Sequence, residues 1–212
     1  MKKKRVVGLI SIALLLLSSP VYSQVKLGFQ LGTNFTNASG LPSDASYKIE
    51  SRTYLFGGIL AEIKISDMFY IQPEVRFLPK GVTHKNKPPY ISSYMEFTLN
   101  YYEIPINILA KFNMDNFTPF LFAGPSLSFL SETNAIDDSG NEYDISEFYK
   151  KFDFSINFGG GVELSLSKSI DIFLMARYSL GLTNIVNKEF SSELGKINTQ
   201  GTALAVGLKF SI

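Results

Sequence analysis

Apolar and polar residues alternate with a period of two over most of this chain, the spacing of strands with two chemically different faces rather than of helices. In Val25-Lys26-Leu27-Gly28-Phe29-Gln30-Leu31 every odd position is apolar and every even one is polar or glycine. Phe69, Ile71, Pro73, Val75 and Phe77 alternate with Tyr70, Gln72, Glu74 and Arg76, and Tyr102, Ile104, Ile106, Ile108, Ala110 and Phe112 face away from Tyr101, Glu103, Asn107 and Lys111. The same pattern runs through Leu55 to Ile65, Phe117 to Phe129, Phe154 to Leu166, Ile170 to Leu182 and Leu204 to Ile212. The pattern predicts eight strands, most of about ten residues or more, longer than the five or six of soluble sheets.

The connections alternate as well. Ser66-Asp67-Met68, Asn113-Met114-Asp115-Asn116 and Ser167-Lys168-Ser169 are tight turns, whereas Thr36 to Ser51, Val82 to Tyr94, Ser131 to Lys151 and Val186 to Ile197 are long polar links. An even number of long strands, with short turns at one end and long loops at the other, predicts an all-β, eight-stranded antiparallel transmembrane barrel with short periplasmic turns and long extracellular loops.

Alternation does not say which face is inside, and a lipocalin-like carrier has the same topology with its apolar face inward. Three observations favour the inverted arrangement. The polar face is rich in glycine (Gly28, Gly32, Gly159, Gly161, Gly181, Gly207), which suits a narrow lumen. It carries both signs of charge at mid-strand, and the last strand runs to Ile212 with little room for a following helix.

Composition alone describes an ordinary soluble domain of 212 residues, 45% hydrophobic and 18% charged, at a formal charge of +1. The near-neutral charge gives no footprint for nucleic-acid binding. The absence of cysteine excludes disulfides, thiolate metal sites and a cysteine nucleophile. Residues 1–23 change the charge: a basic stretch through Arg5, the apolar run Val6 to Leu17 and a polar segment with small residues at Val21 and Ser23 have the layout of a secretory leader, with cleavage expected before Gln24. Its removal takes four of the 20 basic residues, leaving 16 against 19 acidic, or −3. The domain organisation expected is leader 1–23 and barrel 24–212.

Counting up each strand from its tight turn places Glu74, Arg76, Glu103 and Arg177 in a middle layer of the lumen and Glu62, Glu163 and Lys209 lower. Arg76 and Glu103 sit on neighbouring strands within ion-pair reach, and Arg177 can reach across a narrow lumen. A charge buried without its partner costs about 3 to 5 kcal/mol, so these groups are expected to close into a salt-bridged plug. A general acid/base site among the carboxylates is the competing reading, and an eight-stranded interior filled by side chains leaves it no substrate volume.

Other segments invite chemistry. His84 lies in the basic stretch Val82 to Pro89, with Ser92, Ser93 and Glu96 near in sequence, as a lipid A-modifying barrel enzyme would need; a solvated loop is the simpler expectation. Lys80, Lys85 and Lys87 are candidate contacts for lipopolysaccharide phosphates. The acidic residues Glu132, Asp137, Asp138, Glu142, Asp144 and Glu147 lack EF-hand spacing around Gly140, because Ala135 and Ser146 occupy the ligand positions, so no metal and no cofactor is expected. Asn34 and Asn37 fit glycosylation spacing without consequence for a bacterial membrane protein. Gly159-Gly160-Gly161 sits inside a strand without a phosphate-loop lysine and predicts close packing, a bend or a bulge. Phe69, Tyr102, Phe112 and Phe117 are expected in interfacial belts.

Three phrases, Leu99-Asn100-Tyr101-Tyr102-Glu103-Ile104-Pro105, Phe120-Leu121-Phe122-Ala123-Gly124-Pro125-Ser126 and Arg177-Tyr178-Ser179-Leu180-Gly181-Leu182-Thr183-Asn184-Ile185, resemble the PorT-type outer-membrane β-barrel family of Bacteroidetes. The resemblance covers most of the chain after the leader and implies an eight-stranded barrel in the outer membrane; the family's founding member is associated with secretion and maturation of exported proteases. One departure from common outer-membrane practice is the terminus, Ile212, with Phe210 two places earlier on the same face. The expected role is a non-enzymatic scaffold amid outer-membrane lipids whose outer loops or periplasmic rim engage protein or lipid. An accessory part in secretion, a lipid A-modifying enzyme and a periplasmic carrier stand as alternatives.

Overall fold

The computed structural model describes residues 25–40, 47–86, 94–114, 117–190 and 195–212. The leader, its cleavage point, Lys87, Ser92 and Ser93 lie outside them. The strands are β1 (Val25–Ser39), β2 (Tyr47–Lys64), β3 (Phe69–Asn86), β4 (Tyr94–Lys111), β5 (Thr118–Asp137), β6 (Glu142–Asp144), β7 (Phe152–Ser165), β8 (Ile170–Gly181) and β9 (Asn198–Ser211), with one 3₁₀ turn at Ser146–Phe148. Neighbours pair in the order β4-β3-β2-β1-β9-β8-β7-β5, and a β4–β5 ladder closes the ring at eight strands, leaving β6 as a short addition to the outer end of β5.

Register fixes the shape of the ring. Following paired residues once around it leads from Val25 through Ile63, Ile71, Ile108, Ala123, Phe158, Tyr178 and Thr202 to Phe35, ten residues further along β1. Eight strands with that stagger tilt by about 40°, at ordinary strand rise and spacing, so each residue climbs about 2.5 Å along the barrel axis. Ten residues therefore cover the roughly 25 Å apolar band of an outer-membrane barrel.

The outward residues follow that arithmetic. Leu31, Ile59, Ile108, Leu121 and Leu174 are among the most exposed large hydrophobic side chains of the described residues, while the alternate positions turn inward. Phe69, Phe112 and Phe117 ring the short-turn end. At the other margin Phe77, Tyr102, Phe129 and Phe152 lie directly beside one another on four successive strands, with ring contacts of 5.5 Å for Phe77–Tyr102 and 5.2 Å for Phe129–Phe152. An apolar exterior around a polar interior is the reverse of a lipocalin-like carrier.

Beyond that margin the strands are longer than the alternation implies. β2, β3 and β4 have 18 residues each and β5 has 20, against 12 to 15 for β1, β7, β8 and β9. The links expected at Thr36 to Ser51, Val82 to Tyr94 and Ser131 to Lys151 are thus partly strand. β2 to β5 stand above the belt as a sheet, its register running from Tyr47↔Asn86 through Lys85↔Tyr94 to Met95↔Asp137.

The interior is fitted by setting rings against glycines. A Cβ at Gly161 would meet the Leu174 carbonyl at 2.3 Å and the Phe120 ring at 2.6 Å, and one at Gly207 the Phe173 ring at 2.4 Å. The inward rings of Phe56, Phe120, Phe122 and Phe173 lie over Gly32, Gly161, Gly159 and Gly207 of the next strand, which accounts for the glycine-rich segment of β7 as close packing. The ladder is interrupted between β2 and β3 from Ser51 to Gly57, opposite Pro79, which has no N–H to offer. Asn34 Nδ2 donates to the Pro79 carbonyl (3.3 Å) and Thr36 Oγ1 to that of Gly81 (2.6 Å), so Asn34 is a buried structural group and not a surface acceptor for glycans.

Candidate functional site: the charged lumen

Every strand of the ring delivers polar side chains to the lumen, and they sort into three levels. At the short-turn end Lys111 Nζ bridges Glu62 (2.6 Å) and Glu163 (2.8 Å), Lys209 Nζ bridges the same two carboxylates (2.5 and 2.7 Å), and Lys26 Nζ bridges Glu163 (3.1 Å) and Asp171 (2.5 Å). Three lysines and three carboxylates make this level neutral. Lys209 also lies over the Phe120 and Phe173 rings at 5.5 and 4.9 Å, and Lys111 over Tyr70 at 4.7 Å, contacts that favour a desolvated cation.

Above it comes an apolar septum of strand side chains that includes Leu60, Leu109, Phe120, Phe122, Phe173 and Met175. The second charged level follows. Arg177 Nη2 donates to Glu74 Oε1 (2.7 Å), and Gln30, Gln72 and Asn107 each donate to the same carboxylate at 2.8 Å. Arg76 Nη2 donates to Glu103 Oε1 (2.8 Å), which also accepts from Ser126 (2.6 Å) and Asn157 (3.4 Å). Both ion pairs are sealed from solvent, at 0–1% side-chain exposure. Each arginine uses a single nitrogen on a carboxylate, and among the described residues the Nε and Nη1 of both have no hydrogen-bond partner; nor do Glu103 Oε2, Gln30 Oε1, Asn107 Oδ1, Ser128 Oγ, Ser155 Oγ and the Tyr101 hydroxyl.

The third level pairs Lys80 with Asp153 at 3.6 Å, and Asp153 accepts from Thr183 (2.6 Å) and Thr199 (2.8 Å). Lys80 lies over the Tyr101 ring at 4.9 Å and is buried. It points into the barrel and is therefore withdrawn as a contact for lipopolysaccharide. A second apolar cluster, Leu99, Tyr101, Ile185, Val186 and Ile197 with Ala38, Leu130, Tyr149 and Phe190 packed against it, covers the outer mouth. Its loop members are clipped together: Asn184 Oδ1 accepts from the Val186 and Ile197 amides, and Asn187 Nδ2 donates to the Glu147 and Tyr149 carbonyls.

All seven residues singled out from sequence thus lie in the first two levels: Glu62, Glu163 and Lys209 below the septum, Glu74, Arg76, Glu103 and Arg177 above it. Sequence reasoning left out Lys26, Lys111, Lys80, Asp153 and Asp171. Lys26, Lys111 and Asp171 have the inward parity of their strands, so the signal was present; Lys80 and Asp153 fall just past the ends that the alternation assigned.

The remaining candidates separate. His84 is not on a loop: it lies in β3 opposite Met95 and Ile49, half-buried, with its ring edge-on to Phe97 at 6.0 Å. Glu96 is ion-paired to Arg52 at 2.8 Å and Lys85 to Glu50 at 2.6 Å. In the acidic stretch Asp137 accepts from the Ser139 and Asn141 amides, the Asn141 side chain and the Tyr143 hydroxyl at 2.9–3.1 Å, and Asp144 accepts from the Ser146 amide at 2.9 Å. These carboxylates shape a turn, and no group of three His, Cys, Asp or Glu side chains placed to hold a metal occurs among the described residues.

No curated protein matches the sequence. Among solved structures, the fold is similar to neisserial surface protein A, at 18% identity, 89% of this chain and 97% of that one, with a TM-score of 0.54. It is also similar to the outer membrane protein OprG from Pseudomonas aeruginosa, at 8% identity, 89% and 96% coverage and a TM-score of 0.53. The profile of the family described as outer membrane protein beta-barrel domain matches residues 18–187. A closed eight-stranded ring with an apolar exterior, a charged interior and that match over most of its length makes this chain a member of the outer membrane protein β-barrel domain family, located in the outer membrane.

Proposed function

We propose that the protein is a non-enzymatic outer-membrane scaffold whose lumen is plugged by its charged network and whose outer sheet and loops engage another protein or lipid. One observation carries this reading: the three charged levels and two apolar clusters occupy the barrel from the short-turn end to the outer mouth. A conduit would need a continuous polar path, and a catalyst would need a pocket beside its carboxylates; here the carboxylates are engaged by lysine, arginine and amide groups. Planar bilayer recording of the purified barrel tests the plug. The expected result is no steady ohmic conductance; a stable open level would refute it.

Membership of the PorT-type branch belongs to the same proposal. It is supported by where the three resembling phrases lie, since they supply Tyr101 and Glu103, Phe120, Phe122 and Ser126, and Arg177, Ser179 and Asn184 to the lumen and its outer cover. An accessory part in protein secretion follows from that branch. Loss of exported proteases in a deletion strain is its expected signature, and an unchanged exoproteome would remove it. In the same proposal, export uses the leader at 1–23 with cleavage before Gln24.

A further inference from the structure

The two apolar clusters that bound the upper lumen are built differently. The lower septum consists of strand side chains, Phe120, Phe122 and Phe173 among them, each locked over a glycine of a neighbouring strand. The outer cover takes Ile185, Val186 and Ile197 from the segments flanking the β8–β9 connection, held by side-chain clips from Asn184 and Asn187. Between them lie buried polar groups that have no hydrogen-bond partner among the described residues: the Nε and Nη1 of Arg76 and Arg177, Glu103 Oε2, Ser128 Oγ, Ser155 Oγ and the Tyr101 hydroxyl. A small cavity of about 10 Å³, lined by Asn34, Leu78, Lys80, Ser179, Thr199, Gln200 and Gly201, lies at the Lys80 level. Ser179 donates to Asn157, which donates to Glu103, so the cavity at the Lys80 level is linked by hydrogen bonds to the arginine level.

We infer that this region is a sealed hydrated compartment, a site for small polar guests of the size of water, which opens only outward. Six arginine N–H groups, and the carboxylate, amide and hydroxyl oxygens that likewise lack partners among the described residues, are matched by water, which donates and accepts; a buried donor left alone is costly. The levels bounding the compartment are neutral, with Arg76, Arg177 and Lys80 against Glu74, Glu103 and Asp153, so an added ion of either sign has nothing to neutralise it. The space beside Lys80 is of the size that one water needs. Displacing the loop cover joins the compartment to the outside. The septum is part of the barrel wall and stays.

The absence of cysteine from the sequence makes the test clean, since one introduced thiol is the only reporter. Ser155→Cys, facing the compartment, is treated with a charged membrane-impermeant thiol reagent from outside. With the cover intact no labelling is expected. With Val186→Asp in the cover, labelling is expected, together with a bilayer conductance still at baseline. Labelling of Ser155→Cys under an intact cover would overturn the seal, a conductance in the Val186→Asp protein would overturn the one-sided opening, and a folded Val186→Asp protein that stays unlabelled would overturn the role of the cover. If Val186→Asp does not reach the heat-modifiable folded form, Asn184→Ala, which removes the acceptor of two cover amides, takes its place with the same expectations. Water-to-guanidinium cross-peaks at Arg76 and Arg177 are expected in the folded protein, and their absence would overturn the hydration. The proposed scaffold role survives any of these labelling outcomes, and only a conductance in the unaltered protein strikes that reading first.

Discussion

The lower charged level and the arginine level hold balanced charge in the same tube and solve the problem in different ways. Below the septum each lysine serves two carboxylates, and Glu163 alone receives Lys26, Lys111 and Lys209. Above it each arginine meets one carboxylate through one nitrogen, and its Nε and Nη1 go without a hydrogen-bond partner among the described residues. The difference follows from shape. An ammonium presents three donors that swivel about a flexible stem and can be shared among carboxylates, whereas a guanidinium is a rigid plane that a narrow lumen engages at one corner. Shared lysines close a level by themselves; arginines leave sites for something else to fill.

The sharpest way to break this contrast is at Glu163. Glu163→Gln leaves the buried Lys111 and Lys209 and the half-buried Lys26 with one carboxylate fewer, and a loss of about 3 to 5 kcal/mol is expected, read as an earlier urea midpoint for the heat-modifiable form in vesicles. A smaller effect is expected above the septum. Arg177→Lys keeps the cation and one bond to Glu74 and gives up only donors that have no partner among the described residues, so a loss of about 1 kcal/mol in the same assay is expected. Equal losses in the two variants would erase the distinction. The smallest effect lies outside the membrane at Asp137, where bonds from Asn141 first, with Tyr143 and the Ser139 amide, hold the carboxyl below the usual range. A depressed folded value means that the stabilisation is present above the unfolded value and lost as pH falls through the folded one. The amide signals of Ser139 and Asn141 are therefore expected to shift only below the ordinary aspartate range; a midpoint at the ordinary value would show that the turn does not hold this group.

Inside the apolar band the fold was legible because lipid on one side and a charged lumen on the other force strict alternation. Val25 to Leu31 and Ile170 to Leu182 read cleanly for that reason, and parity alone told which residues share a face. Past the belt the outward residues meet water and turn polar. The ladder continues in β3 through His84 and in β4 back to Tyr94, but the two faces no longer differ in kind, and strand reads as loop. Lys80 was misplaced by the same effect. The proline at 79 and the interrupted β2–β3 ladder beside it depend on side chains of β1 reaching past β2, a relation between distant segments that no local pattern records.

The seam of the ring lies between β1 and β9, the first and last described strands to leave the ribosome, with Lys26 opposite Ser211 and Ser39 opposite Asn198. Every other neighbour in the ring can pair with a strand made shortly before it, but this junction joins segments separated by nearly the whole chain and is slow to find. Lys209, close to the end of β9, reaches Glu62 on β2 and Glu163 on β7. Those carboxylates can be satisfied in full only once the seam has zipped, so the lysine that arrives late in synthesis acts as the latch of assembly, and the integrity of that one cluster distinguishes a finished barrel from an inserted but unclosed sheet.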